Sequence, residues 1–297
     1  MGYLHPAAPD DPGQAFAALV AALAQLGYVA GRNIRFEERW AEGELARLPI
    51  FATEMVSLPV DLIVAVSPPA IRAAQKATST IPIVMAFSGD DPVKLGFVST
   101  LAHPGGNITG MTSLTSDVAP KWIELLQDAM PGIARVAVLR SSERPDHDEH
   151  VRILQTAADE RRVRLHVVAV SGSQEYAAAF DDMARQRDEA VIILSGPEYA
   201  QRLKQLADLA LAHRLGSLWQ YKDFVEAGGL LSYGPSIRDL SADAALFVDK
   251  ILRGARPGDL PVQQPTKFER AVNLKTAAAI GLVIPRAVVL SADEVIQ

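Results

Sequence analysis

Apolar positions along the chain alternate between short continuous runs and longer stretches at helical spacing. Phe16, Leu19, Val20, Leu23 and Leu26 recur every three or four residues, with Gly27 and Gly31 as stop signals, which predicts an amphipathic helix. Asp61–Val66 and Ile81–Phe87 are compact apolar runs of strand length. Continuous hydrophobicity of this kind marks a strand covered on both faces of a parallel sheet. Ile34–Phe36 reads as a further strand, Leu45–Leu58 and about Pro69–Ala77 as helices, Phe97–Leu101 as a short helical turn and Ile108–Met111 as a short strand. The second half keeps the rhythm. A helix runs through Trp122, Leu125, Leu126 and Met130, and strands are predicted at Val136–Leu139, Val163–Val170, Val191–Leu194, Ser217–Trp219, Gly229–Ser232 and around Phe268–Val272. Helices are predicted over Glu149–Arg161, Glu175–Arg187, Glu198–His213, about Ser236–Arg253 and Leu274–Ile280, before a short end piece.

Alternating strands and helices imply an α/β fold with parallel sheets and helices on both faces. A chain of 297 residues suits two such units rather than one. The natural boundary lies near 102–110, where His103-Pro104-Gly105-Gly106-Asn107 interrupts the pattern. Hydrophobic residues at 49% and charged residues at 22% supply two cores and exclude a disordered chain. The net charge of −6, with no Lys/Arg run longer than Arg161-Arg162, argues against a nucleic-acid partner. The absence of cysteine removes disulfides, thiolate catalysis and cysteine metal ligation together. No segment has the length and apolarity of a membrane span. Met1-Gly2-Tyr3-Leu4 runs straight into His5-Pro6, with no export signal. Gly2–Leu4 reads as the end of a first strand whose beginning is missing, so the chain is either cytoplasmic or written after removal of its signal.

In open parallel sheets, ligands bind beyond the carboxyl ends of the strands, close to helix N-termini. The loops at those ends carry the candidate chemistry. In the first half they are His5 with its neighbours, Ser67-Pro68-Pro69, and Ser88-Gly89-Asp90-Asp91-Pro92. In the second half they are Ser141-Ser142, Ser195-Gly196-Pro197, Tyr221-Lys222-Asp223-Phe224 and Tyr233-Gly234-Pro235. Ser67-Pro68-Pro69 has the form of a helix start with free backbone N–H groups, suited to a carboxylate; an ordinary helix cap has the same form. Asp90 and Asp91 would match an ammonium group, or simply form a turn. Tyr221, Phe224 and Tyr233 concentrate aromatic surface in a chain that is only 6% aromatic; such rings line small-molecule pockets or pack between helix and sheet. Catalytic signatures are absent: there is no G-x-S-x-G, H-E-x-x-H, P-loop or G-x-G-x-x-G in its proper context. No metal or cofactor site is predicted. His147 and His150 fall on a charged stretch that reads as a solvated face, and His213 at a helix end.

Seven segments, taken together and in order, resemble the ABC-transporter substrate-binding proteins of the tryptophan/tyrosine-binding type. They are Leu26–Ile34, Arg39–Pro49, Ala77–Val93, His103–Gly110, Phe224–Pro235, Val248–Glu269 and Asn273–Pro285. The resemblance implies a type I periplasmic-binding-protein fold, with two doubly wound parallel-sheet lobes joined by three crossings and the ligand in the cleft between them. The first lobe would hold 1–110 and about 236–262, and the second 111–235 and about 263–297. It further implies hinge closure on a small molecule, an amino acid or other aromatic or carboxylate compound. The partner would be an ABC permease, the protein a monomer, and the location the periplasm or the outer face of the membrane. Members carry one acid before the proline at Pro92, where this chain has Asp90 and Asp91, and they carry an export signal. A sensor of the same fold and, further off, a small-molecule enzyme using Asp90/Asp91 or Ser195 are the rival readings.

Overall fold

A computed structural model describes residues 1–9, 14–113, 115–144 and 146–297. In chain order the main elements are β1 (Gly2–His5), α1 (Ala15–Gln25), β2 (Glu37–Trp40), α2 (Leu48–Ser57), β3 (Ile63–Val66), α3 (Ser67–Ala77), β4 (Ile83–Ser88), β5 (Ile108–Thr112), α4 (Thr115–Ala129), β6 (Arg135–Ser141), α5 (Asp146–Glu160) and β7 (Arg164–Val170). Then follow α6 (Tyr176–Arg185), β8 (Ala190–Ile193), α7 (Pro197–Ala200), α8 (Leu203–Ala212), β9 (Gly216–Trp219), α9 (Asp223–Glu226), β10 (Leu231–Gly234), α10 (Ile237–Leu252), β11 (Glu269–Asn273), α11 (Leu274–Ala279), α12 (Arg286–Leu290) and β12 (Glu294–Ile296). They form two compact units, 1–114 with 237–266, and 115–236 with 267–297, so the chain passes between units at 114/115, 236/237 and 266/267.

Unit 1 is a five-stranded sheet in the order β2-β1-β3-β4-β5, with every pairing parallel. The period-2 rule divides its strands between two cores. Val64, Val66, Val84 and Ala86 join Leu19, Leu23, Leu240, Phe247 and Val248 under α1 and α10. Ile63, Ala65, Ile83 and Met85 join Leu48, Met55, Ile71 and Ala74 under α2 and α3. The predicted strand Ile34–Phe36 lies instead at Glu37–Trp40, an edge strand with one neighbour and polar residues facing solvent. The predicted helical turn at Phe97–Leu101 is a loop stitched by Ser99 N–H to Pro104 O and Thr100 N–H to His103 O.

Gly110 sits on β5 at φ 132°, opposite Met85. A Cβ there would lie 2.2 Å from the Met85 carbonyl oxygen, so only glycine lets the two strands approach this closely.

Unit 2 is a seven-stranded sheet ordered β12-β11-β10-β9-β8-β6-β7, parallel except where β11 runs against β10. Val136, Val138, Ile192, Leu194, Leu218 and Leu231 face a core completed by Trp122, Leu126, Leu154 and Val288. Trp122 is fully buried, and its indole N–H donates to Tyr233 O at 2.9 Å, tying α4 to the end of β10. The helix predicted over Glu198–His213 is broken into α7 and α8, because Arg202 leaves helical geometry at φ −123° and ψ 19°.

Candidate functional site

The order of strands brings the sequence candidates together on the carboxyl edge of each sheet. In unit 1, β1, β3 and β4 are neighbours, so His5, Ser67 and the loop after Ser88 share one crest. In unit 2, β6, β8, β9 and β10 are neighbours, so Ser141, Ser195, Tyr221 and Tyr233 do the same.

Ser67 is the first residue of α3 and has φ 67°, a left-handed conformation that an L-residue adopts only where its surroundings impose it. It is 7% exposed, and its hydroxyl oxygen has no hydrogen-bond partner among the described residues. The expected row of free N–H groups is shorter than the sequence reading supposed. Pro68 and Pro69 occupy the first turn and carry no N–H, so the helix start offers Ser67 itself and the dipole behind it.

His5 is buried with its ring beside Tyr3 and Trp40, at centroid distances of 5.8 and 4.9 Å. Its Nδ1 accepts from Ala7 N–H at 2.9 Å, and burial lowers its pKa to about 3, so it is neutral at physiological pH. Ser88 is fully buried and donates to Asp90 O. The same carbonyl accepts from Thr112, which fixes the turn at Asp90. Asp90 is itself buried. Asp91 is half-buried and spends Oδ1 on Val93 N–H at 2.9 Å and Lys94 N–H at 3.4 Å.

In unit 2, Ser195 is the centre of a network. Trp219 Nε1–H donates to its Oγ at 2.9 Å, and its hydroxyl donates to Gln220 Oε1 at 2.8 Å. Thr115, at the start of α4, lies 3.1 Å from the same Gln220 oxygen. Ser141 is buried and accepts from Glu143 N–H, while Ser142 is exposed and turned back on Val170 O. Tyr221 is buried edge-on to Trp219. Phe224 is fully buried, edge-on to Trp219 and pressed against Gly229, which places it in the packing beneath the loop. Tyr233 stacks on Phe268 at 5.9 Å.

The solvated face expected around His147 and His150 is corrected: both are buried. His147 Nδ1 accepts from Ser141 N–H and Nε2 donates to Ser195 O, each at 3.1 Å, so the ring bridges the ends of β6 and β8. Burial first, and then the positive charge of Arg144, lower its pKa to about 3. Arg144 itself pairs with Asp146. Nearby, burial raises the pKa of Glu198 against the pull of Arg144. The sequence reading passed over Gln220, Thr115, Trp219, Arg144 and Glu198. Gln220 had the plainest signal, since it immediately precedes Tyr221 at the end of a predicted strand. Among the described residues no group of three or more His, Asp or Glu is placed to hold a metal ion, and no helix is long and apolar enough to cross a membrane.

Residues 12–296 match the model of a family described as ABC transporter substrate binding protein. The chain belongs to this family. A tyrosine-binding protein of Clostridioides difficile (strain R20291) is 26% identical over 263 residues, which is 89% of this chain and 75% of the relative. A Streptococcus pneumonia ABC domain solved in complex with L-Trp is 24% identical. It superposes with a TM-score of 0.92, covering 99% of this chain and 98% of that one. A conserved domain protein from Vibrio cholerae (O1 biovar El Tor str. N16961) reaches 0.93 at 24% identity, with the same coverage. The fold of this ABC transporter substrate-binding protein is thus the type I periplasmic-binding-protein fold, two doubly wound α/β lobes with three chain crossings.

Proposed function

We propose that this substrate-binding protein captures an amino acid or a related aromatic carboxylate and delivers it to a membrane permease. It does so as a monomer in the periplasm or anchored at the outer face of the membrane, without turning the ligand over and without nucleic acid. The observation that carries the reading is Ser67, a buried serine in a left-handed backbone conformation, with an unpartnered hydroxyl at the start of an eleven-residue helix. A carboxylate oxygen completes that hydroxyl's hydrogen bonding and lies on the positive end of the helix dipole. Asp91 keeps one carboxylate oxygen for a ligand ammonium group, with Asp90, Ser88, His5, Pro68 and Pro69 shaping the same crest. Ser141, Ser142, Ser195, Tyr221, Phe224 and Tyr233 build or support the crest of unit 2. The ligand class is that of the relatives, one named for tyrosine and one solved with L-Trp.

Isothermal titration with L-tyrosine and L-tryptophan tests this. The parent chain is expected to bind at least one with a Kd near 1 μM, about −8 kcal/mol, and to release it unchanged. Ser67→Ala removes a hydrogen bond to a charged group, worth about 1.5 kcal/mol, and is expected to weaken binding about tenfold. A Ser67→Ala protein that binds as tightly as the parent would refute the assignment.

A further inference from the structure

Gln220 is a buried polar side chain of the unit 2 crest whose two ends are treated differently. Its oxygen is held by two groups: Ser195 Oγ at 2.8 Å and Thr115 Oγ1 at 3.1 Å. Trp219 Nε1 donates to the Ser195 oxygen at 2.9 Å. The Ser195 hydroxyl in turn donates its own proton to the amide oxygen of Gln220. The NH2 is left on the other side. The residue is 1% exposed, and among the described residues no protein group accepts from Nε2.

The backbone pins this arrangement. A Cβ on Gly234, at the end of β10, would lie 2.3 Å from the Gln220 carbonyl oxygen and 2.6 Å from its Cγ. The glycine lets the end of β10 close over Gln220 and restrict where its side chain runs. An amide so fixed, with its acceptor satisfied and its donors unsatisfied, is arranged to give hydrogen bonds and not to receive them.

We propose that Gln220 is a specificity-determining residue, whose side-chain NH2 donates to an acceptor oxygen, carboxylate or carbonyl, of the bound molecule. The inference rests on the reading of the chain as a small-molecule receptor and adds a selection rule to it. A ligand presenting only N–H or C–H groups at this point leaves both donors buried and unpaired, and is rejected.

The test uses the full chain, with L-tyrosine, L-tryptophan and benzoate as probes in isothermal titration. Gln220→Glu keeps an oxygen for Ser195 and Thr115 but replaces the donor with an acceptor. It is expected to bind any probe that the parent binds at least tenfold more weakly, with the ligand-free melting temperature changed by no more than a few degrees. Gln220→Met, of similar length and without polar atoms, carries the same expectation where Gln220→Glu does not fold. Binding within twofold of the parent in the folded variant overturns the proposal. If the parent binds none of the three probes, the ligand class proposed above fails, and the Gln220 assignment is decided separately by a crystal structure of the chain as isolated. A water at Nε2 with two or more further protein hydrogen bonds overturns it, because the donors then serve a structural water. An Nε2 facing exchangeable solvent or a co-purified molecule upholds it.

Discussion

The buried His147 makes the stability of unit 2 sensitive to pH in a way that can be worked out in advance. In the folded chain its pKa is about 3, against an ordinary value of 6.5. Below 6.5 the unfolded chain takes up a proton that the folded chain refuses. Stability therefore rises with pH here: the contribution is full above 6.5 and is lost as pH falls towards 3. At pH 5 the unfolded form gains about 1.5 pH units' worth of protonation, or about 2 kcal/mol at 1.36 kcal/mol per unit. Asp223, raised to about 6 by burial and then by Glu226, acts in the opposite sense over the same window. The measurement is accordingly a difference between proteins. His147→Gln loses the two bonds to Ser141 and Ser195 and is less stable than the parent at pH 7. The gap in unfolding free energy, read from urea curves, should narrow by about 2 kcal/mol between pH 7 and pH 5. In thermal scans that is about 4–8 °C for a unit of this size. A gap that stays constant to within about 0.5 kcal/mol, or an imidazole of His147 that titrates near its ordinary value by NMR, refutes the reasoning.

Two further substitutions probe the packing that presents the crests. Gly110→Ala puts a methyl group against the backbone of β4 at a positive φ, and should destabilise unit 1 by about 3 kcal/mol or more in urea unfolding; a loss below about 1 kcal/mol would mean that the strands part easily. Trp122→Phe removes the bond to Tyr233 O along with part of a buried ring, and should cost unit 2 about 2 kcal/mol by the same assay.

Much of the fold was legible because doubly covered strands announce themselves. Asp61–Val66 and Ile81–Phe87 contain β3 and nearly all of β4, since every residue of those strands must be apolar or small. Edge strands are less uniform. β5 and β7 were legible at Ile108–Met111 and Val163–Val170, whereas β2 and β12, short and of mixed polarity, were displaced or missed. The histidines of α5 were misread because Asp146, Asp148 and Glu149 surround them in sequence. The helical period decides otherwise: His147, His150, Leu154, Ala157 and Ala158 form one buried stripe, and the two histidines are its first members. For the candidate site, the loops at the strand ends could be read from the sequence, but hydrogen-bond partners distant in sequence were invisible. Nothing in the order of residues says that Ser195 meets Trp219 and Gln220, or that Ser67 is forced into a left-handed turn.

The return of α10 to unit 1 governs how this polypeptide is born. Leu240, Ala244, Phe247 and Val248 complete the core that Leu19, Leu23, Val64 and Val84 begin. A ribosome must therefore finish most of the message before the earliest strands can be fully sheathed on that side. Until then α1 alone shields that face of the first sheet, and the apolar surface meant for α10 stays bare while the whole intervening unit emerges and folds. Cutting the gene at 114 yields an orphan, not a module, and any attempt to study the amino-terminal unit alone must splice 237–266 back onto it.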